Sequence, residues 1–423
     1  MEPKTTLAEL AKTVPAALPQ IDIREKISQR AAQSNTCVVV LDDDPTGTQT
    51  VHGVPVLTQW SEEALAVPMK QGVPLFYILT NSRALHVDQA CELAHEVGTN
   101  LQTLAKKLKL QVQVISRSDS TLRGHFPHEV DALKESLGAQ AAITFLVPAF
   151  FEGGRFTAHN IHYVREGEEL IPAAQTPFAQ DKTFGYKNSN LKQYVEEKTQ
   201  GTIKADEVHS LSLELIRSGR EQDLVQAILA LPAGATCVVN ALAYSDLETF
   251  TWALLQSGRS YVARSAASWV PVLGGLEPKP LLQSHDLARP GKPVLVVVGS
   301  HVPKSTEQLA YLLETSPELV PLEFEVKRLL DHDFDTVVNE YVERVDAHLA
   351  QGKDAVLYTS RQLVHVEDKF KSLELSKNIS DALTTVVQRS RVEPGSVIAK
   401  GGITSSDVAT IGLGIRTAMV EGQ

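Results

Sequence analysis

The chain is 423 residues long, carries a formal net charge of −11 and contains 43% hydrophobic residues. At roughly 150 residues per domain, this length predicts two or three domains, each with a hydrophobic core. The acidic balance argues against a nucleic-acid or membrane surface, because proteins that bind phosphate backbones need a basic face. The sequence has neither an apolar run of the ~18 residues that span a membrane nor the apolar start of a secretory signal, so the expected location is the cytoplasm.

Short β-branched runs that end in Gly, Ser, Asp or Asn alternate with amphipathic stretches along the chain. This alternation is typical of parallel strands joined by crossover helices, and it predicts an α/β fold. The predicted strands are residues 36–41, 75–79, 112–116, 142–147, 237–240, 293–298, 355–358 and 396–399. Apolar residues at three- and four-residue spacing predict helices over residues 90–108, 334–349 and 373–387.

Glycine and proline runs mark the clearest domain boundary, at residues 274–292, and a fresh hydrophobic strand follows it. We therefore expect two domains, residues 36–285 and 286–423, each with a largely parallel sheet flanked by helices. Residues 1–35 show no strand pattern and predict a peripheral helical arm. The polar segment 153–201 predicts a long loop over the sheet edge, and such loops are usually functional.

Three acidic residues, Asp42, Asp43 and Asp44, follow the first predicted strand. Open α/β sheets bind their ligands at the carboxyl ends of strands. Clustered carboxylates repel one another, so they suit a site that binds a cation, hydrogen-bonds a polyol or transfers a proton through one acid of raised pKa. A solvated turn capped by one Asp is the alternative, and Gly47 would serve the turn geometry.

Arginines and hydroxyls follow the next two strands. Arg83 can bind a carboxylate through two parallel hydrogen bonds, although a surface arginine would give the same pattern. A denser block after residue 116 contains Arg117, Ser118, Asp119, Ser120, Thr121, Leu122, Arg123 and Gly124. Its hydroxyls, guanidinium groups and backbone amides precede a predicted helix and suit an anion, whereas an N-cap needs only one hydroxyl. His125 and His128 lack a third ligand at metal spacing.

Three glycine-containing turns follow later strands. Arg155 comes after one of them and is a further candidate anion contact. The other two turns consist of Gly299 and Ser300, and of Gly401, Gly402, Ile403 and Thr404. Glycine amides at helix N-termini suit the phosphates of a nucleotide. The sequence contains neither G-x-x-x-x-G-K-[ST] nor G-x-G-x-x-G, so neither a P-loop nor a dinucleotide-binding fold is supported.

The order of these motifs resembles the four-carbon acid sugar kinase family, long treated as a family of unknown function. The resemblance spans residues 36–420 and rests on the acidic turn at 43–47, the block at 116–124, the turn at 148–155 and the two C-terminal glycine turns. It implies ATP-dependent phosphorylation of the terminal hydroxyl of threonate, erythronate or 3-oxo-tetronate. The N-terminal domain would bind the sugar acid and the C-terminal domain ATP, with Mg²⁺, and chemistry would occur in the cleft between them.

The resemblance also implies roles for individual residues. The implied catalytic residues are Asp43, Asp44, Asp119 and Arg123. The implied substrate contacts are Asp44, Arg83, Asp119, Ser120, Thr121 and Leu122, with Arg155 as the further anion contact, and the implied ATP contacts are Ser300, Gly401, Gly402, Ile403 and Thr404. Because phosphoryl transfer needs positioning and charge neutralisation, we assign one Asp to the substrate hydroxyl, Arg83 to the carboxylate, and Arg123 with Mg²⁺ to the phosphates. Which Asp is the base, the metal ligands, the stereoisomer and the oligomeric state, with a homodimer as one option, stay open.

This sequence departs from the family pattern in three places. Pro45 follows Asp44 where many relatives have Leu or Phe, and Arg117 stands where they often have Lys, which leaves the substrate open. Family members usually continue, after the helix that follows Gly402, into another strand with a glycine contact to the nucleotide. This chain stops at Gln423, so we expect the second domain to lack its C-terminal end.

Two other functions fit parts of the sequence. Asp42-x-Asp44-x-Thr46 after an apolar strand fits the nucleophile motif of haloacid-dehalogenase-type phosphatases, and residues 79–81 fit their second motif. That reading leaves Ser300 and the later glycine turns unexplained, and the acidic pair that such enzymes need for Mg²⁺ is not found. A non-catalytic sugar-acid-binding protein derived from the kinase is the third reading, and ATP binding would separate it from the first.

Overall fold

The computed structural model describes residues 2–19, 23–287, 291–361 and 369–422. They form two compact units: unit 1 contains Met1–Leu281 and Thr417–Gln423, and unit 2 contains Leu282–Arg416. Each unit is a largely parallel sheet flanked by helices, which confirms the predicted fold class. Over the described ranges, no helix has both the length and the apolar character needed to cross a membrane.

All eight predicted strands are present, with bounds that differ by one or two residues. In chain order the strands are β1 (Thr5–Thr6), β2 (Thr36–Asp42), β3 (Val54–Leu57), β4 (Leu75–Leu79), β5 (Gln111–Arg117), β6 (Ile143–Val147), β7 (Arg155–Ala158), β8 (Ile161–Glu166), β9 (Glu169–Pro172), β10 (His209–Leu211), β11 (Thr236–Val239), β12 (Tyr261–Ser265), β13 (Val294–Val298), β14 (Val320–Phe324), β15 (Ala355–Thr359), β16 (Ser396–Lys400) and β17 (Thr417–Val420).

The helices alternate with these strands, as the crossover pattern predicts. They are α1 (Leu7–Lys12), α2 (Ile23–Gln33), α3 (Glu62–Lys70), α4 (Val87–Leu108), α5 (His128–Ser136), α6 (Leu191–Lys198), α7 (Leu213–Ile216), α8 (Glu221–Leu229), α9 (Tyr244–Ser257), α10 (Trp269–Leu273), α11 (Ser284–Leu287), α12 (Pro303–Thr315), α13 (Arg328–Asp331), α14 (Phe334–Leu349), α15 (Lys369–Arg389) and α16 (Gly402–Asp407).

Unit 1 is built on a nine-stranded sheet with the order β10-β11-β6-β12-β5-β2-β4-β3-β17. Every neighbouring pair is parallel except β17 and β3. Helices cover both faces: Val39 packs into one core with Leu101 of α4, and Val40 packs into the other with Phe250 of α9. Because both faces are buried, the central strands are continuous apolar runs in the sequence.

Three parts of unit 1 differ from the sequence-based expectations. Segment 153–201 is not one long loop, because β7, β8 and β9 form an antiparallel sheet with β1 of the N-terminal arm, and α6 follows. His159 and Asn160, both with positive φ, form the tight turn between β7 and β8, and this pair is a weaker hairpin signal than Asn-Gly. Strand β12 lies in mid-sheet, and β17, from the stretch assigned to the second domain, pairs with β3.

Unit 2 is a four-stranded parallel sheet with the order β14-β15-β13-β16. Val297 packs with Val337 of α14 and Leu383 of α15 on one face, and Val298 packs with Leu309 of α12 on the other. Strands β13 and β16 are neighbours, so the two glycine turns that follow them lie side by side.

Candidate active site

The carboxyl ends of β5, β2 and β4 are adjacent, and they bring the acidic turn together with two arginines. Asp42 lies in register with Arg117 on one side and with Leu79, four residues before Arg83, on the other. The backbone amide of Arg83 donates to the carbonyl of Asp43 at 3.2 Å. The strand order therefore unites three motifs that are far apart in the sequence.

Arg83 is bound by two members of the acidic turn. Its Nη2 and Nε donate to the two oxygens of Asp43, and its Nη1 donates to Asp44 Oδ2 at 3.0 Å. Burial works to lower the pKa of Arg83, but Asp43 raises it above its ordinary value. Three of its five N–H groups are thus engaged by Asp43 and Asp44, which leaves at most one N–H on each of Nη1 and Nη2 for a substrate carboxylate.

Asp43 and Asp44 differ in their access to solvent. The Asp43 side chain is 3% exposed and also accepts a hydrogen bond from Ser118, whereas the Asp44 side chain is 27% exposed. Burial works to raise the pKa of Asp44, but hydrogen bonds from Thr46 and the charge of Arg83 hold it below its ordinary value. Asp44 is therefore the ionised carboxylate of this pair that a ligand can reach.

Asp42 is a buried ion-pair partner. Its Oδ1 lies 3.1 Å from Arg117 Nη1, and the two side chains are 2% and 5% exposed. Burial raises the pKa of Asp42 to about 7, against the opposing charge of Arg117. A Cβ on Gly47 would lie 1.5 Å from Asp42 Oδ2, so Gly47 is required for close approach to Asp42. A phosphatase nucleophile needs an open carboxylate, and this arrangement does not provide one.

The block after β5 is a turn fixed by its own side chains. Arg123 Nε donates to Asp119 Oδ2 at 2.6 Å, and the Thr121 hydroxyl donates to the same oxygen. Burial works to raise the pKa of Asp119, but Arg123 and its neighbours lower it to about 2. Leu122 and Gly124 have φ values of 69° and 124°, conformations that fold the chain back on itself.

Three residues of this block, Ser120, Thr121 and Leu122, have buried side chains, and Leu122 belongs to the core between sheet and helices. Their assignment as substrate contacts stays a prediction. These residues could contact a substrate only through their main-chain groups or after movement of the turn. Asp119 and Arg123 are the members of the block whose charged groups are partly accessible, at 12% and 28% exposure of the side chains.

The carbonyls of Ser120, Thr121 and Leu122 are each bound by a side chain from segment 153–201. His162 Nε2 lies 2.7 Å from the first, and the hydroxyls of Tyr186 and Tyr194 each donate at 2.8 Å to the second and third. Burial lowers the pKa of His162 to about 4, so the ring is neutral. Because a carbonyl can only accept, Nε2 carries the proton and Nδ1 accepts from Thr157 at 3.0 Å.

Arg123 and Arg155 lie against one aromatic ring. Their Cζ atoms are 5.1 Å and 5.8 Å from the centroid of Phe178, a distance typical of a cation–π contact. Arg123 Nη1 is also 3.9 Å from Asp181 Oδ2. Arg155 Nη1 donates to the carbonyl of Gly153, but its buried Nε has no hydrogen-bond partner among the described residues. Such a donor is costly to leave unpaired, and an anion would satisfy it.

In unit 2 the two glycine turns border a cavity of about 280 Å³. A Cβ on Gly299 would lie 2.3 Å from Thr404 Oγ1, and one on Gly401, whose φ is 115°, would lie 3.1 Å from Ser300 Cβ. The turns therefore touch each other because they lack side chains at these positions. The cavity is lined by Gly299, Ser300, His301, Ile379, Ser380, Leu383, Gly401, Gly402 and Thr404. The Ile403 side chain lies outside the described part of the structure.

Several residues that build these sites lie outside the motifs predicted from the sequence. Arg264 of β12 is buried and donates to the carbonyls of Asp119 at 3.1 Å and Arg123 at 2.8 Å. Its signal in the sequence is one charge inside the apolar run Y-V-A-R-S. Arg361, which follows β15, donates through Nη1 to the carbonyl of Ser300 at 2.6 Å. His162, Phe178, Tyr186 and Tyr194 come from the segment expected to be a loop.

Two family models match successive parts of the chain, and they agree with the two units except that the second model includes residues 417–423, which belong to unit 1. Residues 38–273 match the family model of a sugar-binding N-terminal domain, and residues 295–423 match that of a nucleotide-binding C-terminal domain. The chain belongs to the four-carbon acid sugar kinase family, as the motifs indicated. A D-erythronate kinase of Heliobacterium modesticaldum is 26% identical over 387 residues, which cover 86% of this chain and 83% of that protein.

Two crystal structures share the fold. A Haemophilus influenzae protein superimposes with a TM-score of 0.63 at 17% identity and covers 91% of this chain and 90% of its own. A Salmonella typhimurium LT2 protein, described as a tRNA synthase, gives a TM-score of 0.66 at 16% identity, with coverages of 92% and 90%. At these identities the likeness concerns the fold alone.

Proposed function

We propose that this protein is an ATP-dependent kinase that phosphorylates the terminal hydroxyl of a four-carbon sugar acid such as threonate, erythronate or 3-oxo-tetronate. The observation that carries the proposal is the buried Nε of Arg155, which has no hydrogen-bond partner among the described residues and lies near Arg123 in the family's sugar-binding domain. The D-erythronate kinase relative supports the same class of substrate.

Arg155 and Arg123 are the proposed partners of the substrate carboxylate. Arg83 was the first choice from the sequence, but three of its five N–H groups already bind Asp43 and Asp44, so it has fewer donors left for a substrate. Within the described residues, Arg155 Nε has no hydrogen-bond partner, and Nη1 of Arg123 has only the distant Asp181. The planar guanidinium suits a carboxylate, and charge-assisted hydrogen bonds of this kind are worth about 1.5–3 kcal/mol each.

Asp44 is the proposed partner of the substrate's terminal hydroxyl. Like Asp43 and Asp119 it is bound by an arginine, but its side chain is 27% exposed, against 3% for Asp43 and 12% for Asp119. Its lowered pKa suits a carboxylate that accepts a hydrogen bond and orients the hydroxyl. Because phosphoryl transfer depends mainly on alignment and charge stabilisation, orientation by Asp44 is a sufficient role.

The glycine cavity of unit 2 is the proposed site of the ATP phosphates. Gly402 borders the cavity and has open space where a side chain would stand, so a phosphate can approach its backbone, and Ser300 adds a hydroxyl. Within the described ranges, no group of three or more His, Cys, Asp or Glu side chains is arranged to hold a metal ion. The proposed Mg²⁺ is therefore one bound mainly by nucleotide phosphates and water, as is common for this ion.

An ADP-release assay with a panel of four-carbon acids tests the proposal, with erythritol, which lacks the carboxylate, as the negative control. We expect turnover with at least one acid and none with erythritol. Removal of one charge-assisted contact in R155A should raise the KM for the acid about 10- to 100-fold and leave the KM for ATP unchanged. R220A, at a side chain that is 75% exposed in the same unit, is the matched control.

Binding measurements separate the proposed kinase from a non-catalytic relative. Calorimetry with ADP and with each acid shows whether both sites are functional. Binding of an acid without ADP binding or turnover would establish a sugar-acid-binding protein, and failure to bind any four-carbon acid would refute the proposed substrate class.

A further inference from the structure

Ser82 is the first residue of the short turn Ser82–Ala84 that carries Arg83, and it is bound by Glu129 of α5 and by His125, which precedes that helix. The Ser82 hydroxyl donates to Glu129 Oε1 at 2.5 Å, and His125 Nε2 lies 3.1 Å from the Ser82 carbonyl. His125 and Glu129 are four residues apart, and the amide of Glu129 donates to the carbonyl of His125 at 3.1 Å. The segment from His125 to Glu129, which leads into α5, therefore contacts both the hydroxyl and the carbonyl of Ser82.

The turn needs such support because its backbone is strained. Asn81, directly before Ser82, has a φ of 52°, a left-handed conformation that costs a non-glycine residue roughly 1 kcal/mol or more. Glu129 is buried, and burial together with the charge of Asp43 raises its pKa to about 7. Its hydrogen bond to Ser82 persists in either protonation state, because a hydroxyl can both donate and accept.

We propose that Glu129 is a positioning residue for Arg83 and acts through Ser82, with His125 as the second contact. This inference rests on the proposed function. Arg83 binds both Asp43 and Asp44, so the position of its turn fixes the carboxylate that would orient the substrate hydroxyl. Loss of the Ser82–Glu129 contact should allow the turn to relax and misplace Asp44 without disturbing unit 2.

The alternative is that Glu129 merely stabilises α5. It is an acidic residue in the first turn of that helix, where a negative charge is favourable. A helix-stabilising role predicts a lower melting temperature and an effect on activity that is independent of Arg83. A positioning role predicts an effect that disappears when Arg83 no longer clamps both acids.

A double-mutant cycle distinguishes these roles. We expect E129A and S82A each to lower kcat/KM for the sugar acid about tenfold, and the E129A/S82A pair to lose no more than either alone. In an R83K background, E129A should change kcat/KM less than twofold. E129Q, which keeps an acceptor for Ser82, should retain at least a third of the wild-type value, and the KM for ATP should be unchanged throughout. E135A, at an exposed position of the same helix, is the matched control.

A tenfold loss from E129A in the R83K background would overturn the inference, as would an E129Q variant as impaired as E129A. S82A tests the same contact if E129A does not fold. A readout that needs no activity is the NMR signal of the Arg83 Nε–H, which donates to Asp43. It should be protected from solvent exchange in the wild type and exchange at least tenfold faster in S82A. Unchanged exchange would refute the positioning role, whereas absence of turnover in the wild type would refute the proposed function.

Discussion

The buried pair Asp42–Arg117 predicts how the free energy of unfolding of the variant R117M depends on pH. In the wild type, burial raises the pKa of Asp42 to about 7, and Arg117 opposes a further rise. Methionine has a similar volume but no charge, so the pKa of Asp42 should rise well above 7 in the variant. A folded-state pKa above the unfolded value of about 3.8 gives stability that is lost as pH rises towards the folded pKa.

The difference in the free energy of unfolding between the two proteins should therefore depend on pH in a specific window. Between pH 5 and 7, Asp42 is protonated in both folded proteins, so both lose stability in parallel and the difference is constant. Above pH 7, Asp42 of the wild type is ionised and the free energy of unfolding no longer changes with pH through this group. The free energy of unfolding of the variant continues to fall by about 1.4 kcal/mol per pH unit up to the pKa of its Asp42. The difference should grow by that amount between pH 7 and 8.

Urea unfolding followed by tryptophan fluorescence measures this difference for unit 1, because all three tryptophans, Trp60, Trp252 and Trp269, lie in that unit. The double variant D42N/R117M has no titrating group at the site and is the matched control, so its stability should lack the extra slope. An equal wild-type-to-R117M difference at pH 6 and pH 8.5 would refute the assignment of the slope to Asp42.

Three further variants test other contacts by urea unfolding. G47A should lower the stability of unit 1 by about 3 kcal/mol or more, because its Cβ would lie 1.5 Å from Asp42 Oδ2. T48A is the control, and a G47A variant as stable as the wild type would contradict the close contact. G299A should destabilise unit 2, and adding T404A to G299A should restore much of the lost stability, because it removes the oxygen 2.3 Å from the new Cβ. If the double variant lost the sum of the two single losses, this clash would be excluded. His162, with its pKa lowered to about 4 from 6.5, contributes stability that is present above pH 6.5 and lost as pH falls through 4. The advantage of wild type over H162Q should thus shrink by about 3 kcal/mol between pH 7 and 4, and a constant advantage would argue against a neutral buried ring.

The sequence predicted those features that depend on local pattern. A parallel strand buried on both faces is a continuous apolar run, and the polar residues that end it must lie at the edge of the sheet. Asp43, Arg83 and Asp119 were found in this way. The same reasoning placed Ser300 and Gly401 at strand ends that prove to be neighbours.

Pairing between motifs could not be predicted, because it depends on strand order. The contact between Arg83 and Asp43 exists because β4 lies beside β2, and nothing within either motif specifies that order. Arg264 was missed for a related reason. It is one charge in a short apolar strand, and its function depends on β12 lying beside β5, which places it against the carbonyls of Asp119 and Arg123.

The distribution of charge explains how so acidic a chain can offer a site for an acid. Arg83, Arg117 and Arg123 each form an ion pair with a carboxylate, and Arg264 donates hydrogen bonds to backbone carbonyls. Arg155 has one carbonyl contact and, in the described ranges, no carboxylate partner. A single substrate carboxylate would give Arg155 the carboxylate partner that the three paired arginines already have. A second substrate carboxylate would be repelled by the ionised Asp44. In the proposed function, Asp42 is a buried ion-pair partner and Asp44 is the carboxylate open to the substrate, and this arrangement would favour a sugar monoacid over a diacid.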